Sequence, residues 1–238
     1  MVEFVSFPSV NNASAEGLLA MGGDLSIDTL VSAYSQGIFP WFNDDQPILW
    51  WSPDPRMVLF PSDVHVSRSL RKKIRQNAFE ISCDKAFEEV IKACALRGQQ
   101  NAAVPKADTW ITDSMASAYL DLHQQGYAHS IEVWQDNELV GGLYGVVLGK
   151  VFFGESMFSR ATDASKVGFV ALCKWLHQKQ FSVIDCQIAS DHLFSLGAIE
   201  ISRQHFIEYL QDIDILKVNE NFSQGFESFF QDNAITFL

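Results

Sequence analysis

SIEVWQDNELVGGLYGVVLGKVFFGESM, residues 130–157, is the stretch that decides the fold. Three strands are predicted in it, over Ser130–Trp134, Leu139–Leu148 and Val151–Met157, because aliphatic and aromatic residues fill these segments and turn residues separate them. Gly149-Lys150 predicts a tight hairpin between the second and third strands. The stretch therefore predicts a sheet of consecutive strands in the middle of the chain.

Predicted helices surround these strands. After them the pattern predicts a helix at 164–179, a strand at 181–187, short helices at 191–196 and 203–212, and a phenylalanine-rich tail from about 225 that packs back on the body. Before them it predicts a basic helix at 67–76, a strand at 78–82, helices at 84–96 and 112–125, and a loop at 97–109. The order β-β-β-α-β-α indicates a mixed α/β or α+β domain with a central sheet.

The first 61 residues differ from the rest in composition. Five of the seven prolines lie between residues 8 and 55, and three of the six tryptophans lie at 41, 50 and 51. This proline content argues against long helices, and the one helix predicted here spans 26–36 and stops at Gly37. The aromatic residues are expected to cover a groove or another domain. This segment is therefore either a packing module or the wall of a binding site.

The net charge of −12 argues against nucleic acid as a partner, because phosphates are bound by Lys and Arg. Local charge can outweigh the total, however. Five basic residues fall within eight positions without an acidic residue between them: Arg68, Arg71, Lys72, Lys73 and Arg75. This basic cluster is either a solvated helix face or a patch that binds phosphates.

Hydropathy and the spacing of the cysteines limit the class of protein further. No run of about 18 apolar residues occurs, so we expect no membrane span, and the start of the chain lacks the pattern of a secretory signal. The four cysteines form no C-x-x-C pair, which gives no support for metal binding by thiolates. A reduced, cytoplasmic setting fits best.

Two polar pairs stand in segments that otherwise predict a buried core. Asp185 and Gln187 are two apart near the end of a predicted strand, so we expect their side chains on one face. There the Asp could orient the Gln amide and leave its carbonyl oxygen free to accept a proton from an amine; the alternative is that Asp185 caps the next helix. Glu155 and Ser156 are adjacent in a strand and expected on opposite faces, and the alternative for Glu155 is a salt bridge at a sheet edge.

Several familiar chemistries lack their patterns. The chain has no P-loop, no dinucleotide fingerprint and no H-x-x-x-H pair. Gly154–Phe158 begins like the G-x-S-x-G elbow of serine hydrolases, with Asp185 and His192 following in the right order. The second glycine is missing, and the next predicted helix begins too late for a nucleophile elbow. The sequence therefore disfavours a serine hydrolase.

Several sequence segments, in the same order along the chain, resemble those of one protein family. The sequence resembles the bacterial leucyl/phenylalanyl-tRNA–protein transferases over about residues 15–212. The resemblance rests on GLLAMGGDL (17–25), GIFPWF (37–42), WWSPDPR (50–56), TWIT (109–112), HSIEVW (129–134), LVGGLYGV (139–146), GESMFS (154–159), DCQ (185–187) and HLFSLGA (192–198).

The resemblance implies an α+β protein with a small N-terminal domain, here 1–61, that contributes an aromatic wall. The catalytic domain, here 62–238, would be of the Gcn5-related acetyltransferase (GNAT) type, with a central mixed sheet flanked by helices. It implies transfer of Leu or Phe, with Met also tolerated, from charged tRNA to proteins that begin with Arg or Lys, which marks them for degradation. It implies no cofactor and no metal. The implied protein is a cytoplasmic monomer whose partners are aminoacyl-tRNA and acceptor proteins.

The resemblance also implies roles for particular residues. Asp185 and Gln187 would position and help to deprotonate the amine of the acceptor, and Glu155 and Ser156 would contact the aminoacyl-adenosine end. The walls of the amino-acid pocket and the adenine-stacking surface would come from Trp50, Trp51, Trp110, Leu143, Phe152, Leu172 and Leu176. The basic cluster would hold the acceptor stem without reading its sequence. The competing hypothesis is a non-catalytic module that binds charged tRNA or peptide N-termini.

Overall fold

Two β-sheets organise the residues that the computed structural model describes, which are 2–96, 111–211, 213–219 and 221–232. The strands, in chain order, are β1 (Leu18–Met21), β2 (Phe39–Pro40), β3 (Leu49–Trp51), β4 (Arg56–Leu59), β5 (Glu80–Cys83), β6 (Ala128–Gln135), β7 (Glu138–Leu148), β8 (Val151–Ser159), β9 (Val183–Gln187) and β10 (Ile199–Ile201). The helices are α1 (Ile27–Ser35), α2 (Arg68–Arg75), α3 (Phe87–Ala95), α4 (Asp113–Gln124), α5 (Ala164–Gln178), α6 (Asp191–Ser195), α7 (Arg203–Glu208) and α8 (Phe222–Asp232).

The larger sheet has seven strands in the order β10-β4-β9-β8-β7-β6-β5. Only β8 and β9 run parallel, and every other neighbouring pair is antiparallel. The parallel pairing is short, from Val151 opposite Val183 to Phe153 opposite Asp185. The sheet is therefore mixed, and the α+β class with a central mixed sheet flanked by helices is confirmed.

Helices cover both faces of this sheet because its strands bury both sets of alternating side chains. In β8, for example, Phe153 belongs to a core cluster with residues of α1, α3 and α4, whereas Phe152 belongs to a second cluster with residues of α5. The glycines of β7 allow α5 to approach closely, since a Cβ on Gly141 would lie 2.7 Å from the Cβ of Ala164. The two hydrophobic cores thus lie on opposite sides of one sheet.

The smaller sheet has the order β1-β3-β2 and was not expected from the sequence. Its strands are two to four residues long, and β2 contains Pro40 at the edge of the sheet, where a missing N–H donor is tolerated. The fourth strand, β4, joins the larger sheet between β10 and β9 although it precedes residue 61. The division of the chain at residue 61 stays a prediction.

The C-terminal part packs on the body, as the phenylalanine-rich pattern predicts. Phe222 and Phe226 of α8 are buried, and the ring of Phe222 lies 4.5 Å from that of Trp175 in an edge-to-face arrangement. Among the helices that the structure describes, none has both the length and the apolar composition needed to cross a bilayer.

Candidate active site

A cavity of about 220 Å³ opens where β8 and β9 separate beyond the Phe153–Asp185 pair. Its apolar lining comes from Leu143, Phe152, Met157, Phe169, Ile184 and Leu193. Its polar lining comes from Glu155, Ser156, Gln187, Ser190 and His192. We call this space the apolar cavity. Ligand sites are commonly concave, mainly apolar and fitted with a few polar groups, as this one is.

A second cavity, of about 300 Å³, adjoins the first. Its lining includes Phe39, Pro40 and Trp41 from the N-terminal part of the chain, and Ile188 and Ala189 from the segment after β9. We call it the aromatic cavity. The two cavities share four lining residues, which are Glu155, Cys186, Gln187 and Ser190. Polar groups at this junction can therefore contact molecules in both spaces.

Two β-bulges shape the junction. Tyr144 pairs with Ser156 and Gly145 with Gly154, so Glu155 is an extra residue in β8. Bulges redirect side chains and are common beside active sites. Because of this bulge, Glu155 and Ser156 both line the apolar cavity, and the expectation that they face opposite sides was wrong. Gly145 is required here, since a Cβ on it would lie 2.2 Å from the carbonyl oxygen of Phe153.

The second bulge lies in β9. Met57 pairs with Gln187 and Val58 with Asp185, so Cys186 is an extra residue opposite β4. Gln187 itself has a φ of +57°, in the left-handed region, which ends the regular alternation of the strand. Asp185 and Gln187 therefore do not share a face, contrary to expectation: Gln187 lines both cavities and Asp185 lines neither.

Asp185 is held by Arg56, and both side chains are fully buried. The guanidinium donates from Nε to Oδ1 and from Nη2 to Oδ2, each at 2.7 Å, and its Nη1 donates to the carbonyl oxygen of Gly37 at 3.1 Å. Such two-point contacts fix geometry as well as charge. Asp185 also accepts the backbone N–H of Gln187 at 3.0 Å. It therefore positions the backbone of Gln187. The expectation that it holds the side-chain amide was wrong.

The alternative for Asp185, a helix cap, is also wrong. The helix that follows β9 is α6, and the hydroxyl of Ser190 accepts the N–H of Leu193 at its start. A serine in this position is a common N-cap. The carboxylate of Asp185 instead satisfies a buried cation.

The side chain of Gln187 carries a hydrogen-bond donor that the described structure leaves unsatisfied. Its Nε2 is buried and has no hydrogen-bond partner within the described part of the chain. Buried polar groups without partners are rare in folded proteins and often mark functional sites. Since Gln187 lines both cavities, its amide can donate a hydrogen bond to a bound carbonyl oxygen.

Glu155 is held by two tyrosines. The hydroxyl of Tyr34 donates to Oε1 at 2.7 Å and that of Tyr119 donates to Oε2 at 2.6 Å. The two hydroxyl oxygens are themselves 2.6 Å apart. The expected alternative, a salt bridge at a sheet edge, is wrong, because no cation pairs with Glu155 among the residues that the structure covers.

The surroundings of Glu155 change its acidity. Burial raises the pKa of Glu155 to about 7, although hydrogen bonds from Tyr119 and Tyr34 lower it; nearby Asp185 raises it and Arg56 lowers it. Burial also raises the pKa of Tyr34 and of Tyr119 well above their ordinary value, so both stay protonated donors at neutral pH. Perturbed carboxylates in a cleft are candidates for proton transfer.

The structure brings some of the predicted pocket residues to the cavity and leaves others in the core. Leu143, Phe152 and Ser156 line the apolar cavity. Leu172 and Leu176 are fully buried in the core cluster that contains Phe152, and neither lines either cavity. Phe169, from the preceding turn of α5, lines the cavity instead. Helical spacing could have suggested Phe169, but the sequence does not reveal which turn of α5 lies over the opening.

The predicted tryptophans do not line the cavities either. Trp50 is buried, and its indole N–H donates to the carbonyl oxygen of Gly22 at 2.8 Å. Trp51 donates to the carbonyl oxygen of Trp41 at 2.7 Å. Trp41, in GIFPWF, is the one described tryptophan on a cavity wall and is 41% exposed. Trp110 and the 97–109 loop lie outside the described residues.

The basic cluster lies on α2, apart from the two cavities. The helix buries Leu70 and Ile74. Four members of the cluster are exposed: Arg68, Arg71, Lys72 and Arg75. Lys73 is half-buried and donates to the carbonyl oxygen of Thr162. None of the five forms an ion pair with a carboxylate in the described ranges.

Comparison with known proteins gives the sequence a clear family. The profile described as leucyl/phenylalanyl-tRNA protein transferase matches residues 58–211, and the profile of its N-terminal domain matches residues 23–54. The leucyl/phenylalanyl-tRNA–protein transferase of Cellvibrio japonicus (strain Ueda107) is 58% identical over 209 residues, which cover 87% of this chain and 86% of the relative. That of Pseudomonas fluorescens (strain Pf0-1) is 55% identical over 209 residues, covering 87% and 90%.

Two solved structures that resemble the chain do so distantly. L-PGS from Bacillus licheniformis superposes with a TM-score of 0.40 at 7% identity, over 69% of this chain and 51% of that one. A GCN5-related N-acetyltransferase from Kribbella flavida superposes with a TM-score of 0.35 at 9% identity, over 72% and 59%. Family membership rests on the sequence matches alone. With more than half of its length matched by the family profile and with relatives at 55–58% identity, the chain belongs to the leucyl/phenylalanyl-tRNA protein transferase family.

Proposed function

We propose that the apolar cavity holds the side chain of leucine or phenylalanine carried by tRNA, and that the protein transfers this aminoacyl group to the N-terminal amine of an acceptor protein. Membership in the family makes the chain an aminoacyltransferase that acts on aminoacyl-tRNA and protein. The observation that carries the proposed site is the junction, where an apolar space meets an amide and a carboxylate.

The apolar cavity suits one amino-acid side chain. At about 220 Å³ it is smaller than the roughly 300–1,000 Å³ typical of sites for drug-sized ligands. Burying a leucine or phenylalanine side chain gains about 1.5–3 kcal/mol, whereas a charged side chain would lose its hydration there. Apolar cavities discriminate weakly between apolar groups. Acceptance of Leu and Phe, and of Met to a lesser degree, follows.

The chemistry requires little beyond positioning. The ester that links an amino acid to tRNA is already activated, so the protein must bring an amine to the carbonyl carbon and stabilise the negative charge that develops on its oxygen. The unpartnered Nε2 of Gln187 can donate to that oxygen. Gln187 is therefore proposed as a catalytic residue. Asp185 is a positioning residue, since it fixes the backbone of Gln187 while Arg56 holds its carboxylate.

The acceptor is proposed to be a protein that begins with Arg or Lys. Its N-terminus brings one cationic amine and one cationic side chain, and the net charge of −12 attracts both. The lining of the aromatic cavity includes both the exposed Trp41 and Glu155 of the junction. Phe39 and Trp41, which line this cavity, are proposed as the aromatic wall contributed by the N-terminal segment. We also propose that the transferred residue marks the acceptor for degradation. The enzyme is proposed to be a monomer and to act in the cytoplasm.

The basic cluster of α2 is proposed to hold the acceptor stem of tRNA. Exposed cations that lack carboxylate partners can bind phosphates in any sequence. Binding through such contacts weakens steeply as salt is added.

A transfer assay tests the proposal. The purified protein is mixed with phenylalanyl-tRNA and a peptide that begins with Arg, and the peptide mass is followed. We expect a gain of one phenylalanyl residue with the free peptide and none with the same peptide acetylated at its N-terminus. Binding of tRNA or peptide without a change in peptide mass would instead identify a non-catalytic reader.

A further inference from the structure

We infer that Glu155, held by Tyr34 and Tyr119, accepts the proton that the acceptor's N-terminal ammonium group must lose before it attacks the ester. This inference rests on the proposed function and adds to it the group that receives the proton. Three observations carry it: the number of protons that the cluster can hold, the place of Glu155 at the junction, and the burial of Asp185 against Arg56 away from both cavities.

The cluster of Glu155, Tyr34 and Tyr119 has room for one more proton. Three close oxygen–oxygen contacts link these side chains, at 2.6, 2.6 and 2.7 Å. When Glu155 is ionised, the two hydroxyl groups supply only two protons for three contacts. When Glu155 is protonated, three protons serve three contacts, and a closed ring of hydrogen bonds forms. The geometry therefore accommodates the carboxylate both before and after it takes up a proton.

Glu155 is also within reach of the substrates. It is an extra residue in a bulge, it lines both cavities, and part of its surface remains open. An amine that enters through the aromatic cavity and attacks a carbonyl in the apolar cavity must pass this junction. A group acting as general base needs this proximity before its acidity matters.

Asp185 cannot take this role in the observed geometry. Both of its oxygens accept hydrogen bonds from Arg56, it is fully buried, and it lines neither cavity. Arg56 in turn donates to Asp185 and to the carbonyl oxygen of Gly37, and no hydrogen bond from it to Glu155 occurs in the described residues. Within the described residues, Glu155 thus forms no ion pair, although the charge of Arg56 lowers the pKa of its carboxyl.

The acidity of Glu155 agrees with this role. In the described part of the chain, the titratable and charged groups around it are Tyr34 on α1, Tyr119 on α4, Tyr144 on β7, the Arg56–Asp185 pair on β4 and β9, and Cys186 and His192 in the cavity lining. Burial raises the pKa of Glu155 to about 7. An N-terminal ammonium group has a pKa of about 7.7–8.0. The two groups are thus nearly matched, so the proton can pass between them near neutral pH.

The step balances as follows. One N–H proton passes from the ammonium group to the carboxylate of Glu155, and the amine's lone pair forms the new N–C bond to the ester carbonyl. When the tetrahedral intermediate collapses, the C–O bond to the ribose breaks and a second N–H proton passes to the leaving ribose oxygen. The products are a peptide bond, a tRNA with a free hydroxyl, and a protonated Glu155 that returns its proton to solvent.

The first test uses Glu155→Gln, which keeps the size of the side chain. Single-turnover transfer is measured at saturating phenylalanyl-tRNA and Arg-peptide. We expect the saturating rate to fall by about 100-fold or more, as is typical for loss of a general base. A variant that reached the wild-type rate once both substrates were saturating would show that Glu155 only binds, and the inference would be overturned.

The second test follows the pH dependence of Tyr119→Phe. This change removes a hydrogen bond to the ionised carboxylate, and hydrogen bonds to charged groups are the stronger ones. The pKa of Glu155 should rise. The acid limb of the rate–pH curve should therefore shift to higher pH by about one unit. A lower rate with the acid side unmoved would indicate a structural role for Tyr119 and would count against the inference.

Glu132→Gln is the matched control. Glu132 is another buried carboxylate, held by the hydroxyls of Ser82 and Ser130, and it lines neither cavity. Its replacement should leave the acid limb of the rate–pH curve in place.

The wild-type protein distinguishes failure of the proposed function from failure of the inference about Glu155. If it forms no product, the proposed function fails; if it transfers and Glu155→Gln transfers equally fast, only the inference fails.

Discussion

At the scale of single residues, the buried Arg56–Asp185 pair is a costly contact to break. Removing one partner of a buried pair leaves an uncompensated charge and costs about 3–5 kcal/mol. We expect Asp185→Asn to lower the free energy of unfolding by about that amount, measured by denaturant titration. The exposed pair Lys92–Glu88 gives the control, because Glu88→Gln should cost less than about 1 kcal/mol. Equal, small losses in both variants would contradict the structural role of Asp185.

Glu155 should make stability depend on pH in an unusual direction for a carboxylate. Its pKa is raised from 4.5 to about 7 in the folded protein, so the folded state binds more protons than the unfolded state between these values. Stability from this group is therefore present at low pH and is lost as pH rises through about 7. Melting temperatures measured from pH 5 to 8 should fall more for wild type than for Glu155→Gln. Parallel curves for the two proteins would contradict the raised pKa.

The width of the apolar cavity should set the preference between substrates. Met157 lines it and is half-buried, so Met157→Phe should narrow the space with little loss of stability. We expect the ratio of Phe to Leu transfer, compared as kcat/KM, to fall by roughly tenfold, since one methylene in a pocket changes selectivity by about 10–200-fold. Met21→Phe, on an exposed residue outside both cavities, should leave the ratio unchanged.

At the scale of elements, α2 carries the basic cluster. Arg71→Ala, Lys72→Ala and Arg75→Ala combined should raise the KM for tRNA and reduce the slope of log affinity against log salt by about three, one for each lost phosphate contact. A control with the same change of charge is Lys92→Ala, Lys150→Ala and Lys179→Ala. If both triple variants lose affinity equally, the effect is one of net charge and not of α2.

Regular elements could be predicted from the sequence, and irregular ones could not. The helices expected at 26–36, 67–76, 112–125 and 164–179 are present within one or two residues, because periodic apolar positions mark them and a capping side chain starts the first three. The bulges at Glu155 and Cys186 leave no local pattern. They arise from pairing between distant strands, and a one-residue shift redirects every later side chain. The predicted facing of the side chains was therefore wrong, while the roles of the predicted site residues stay predictions.

At the scale of the whole molecule, the candidate site lies where the pairing between β8 and β9 ends. Apolar residues hold β8 and β9 together up to Phe153 and Asp185, and the following residues diverge around the two cavities. Residues from widely separated parts of the chain meet there, since Tyr34, Tyr119 and Glu155 come from α1, α4 and β8. Such long-range clusters cannot be found by spacing. Trp41 and the two tyrosines were missed for this reason.

The most direct test of the account is a crystal structure with a phenylalanyl-adenosine analogue whose ester is replaced by an amide. The account predicts that the phenyl ring occupies the apolar cavity beside Leu143, Phe152 and Ile184, with the carbonyl oxygen within hydrogen-bond distance of the Gln187 amide. A ring bound elsewhere, with the space between β8 and β9 left empty, would contradict it.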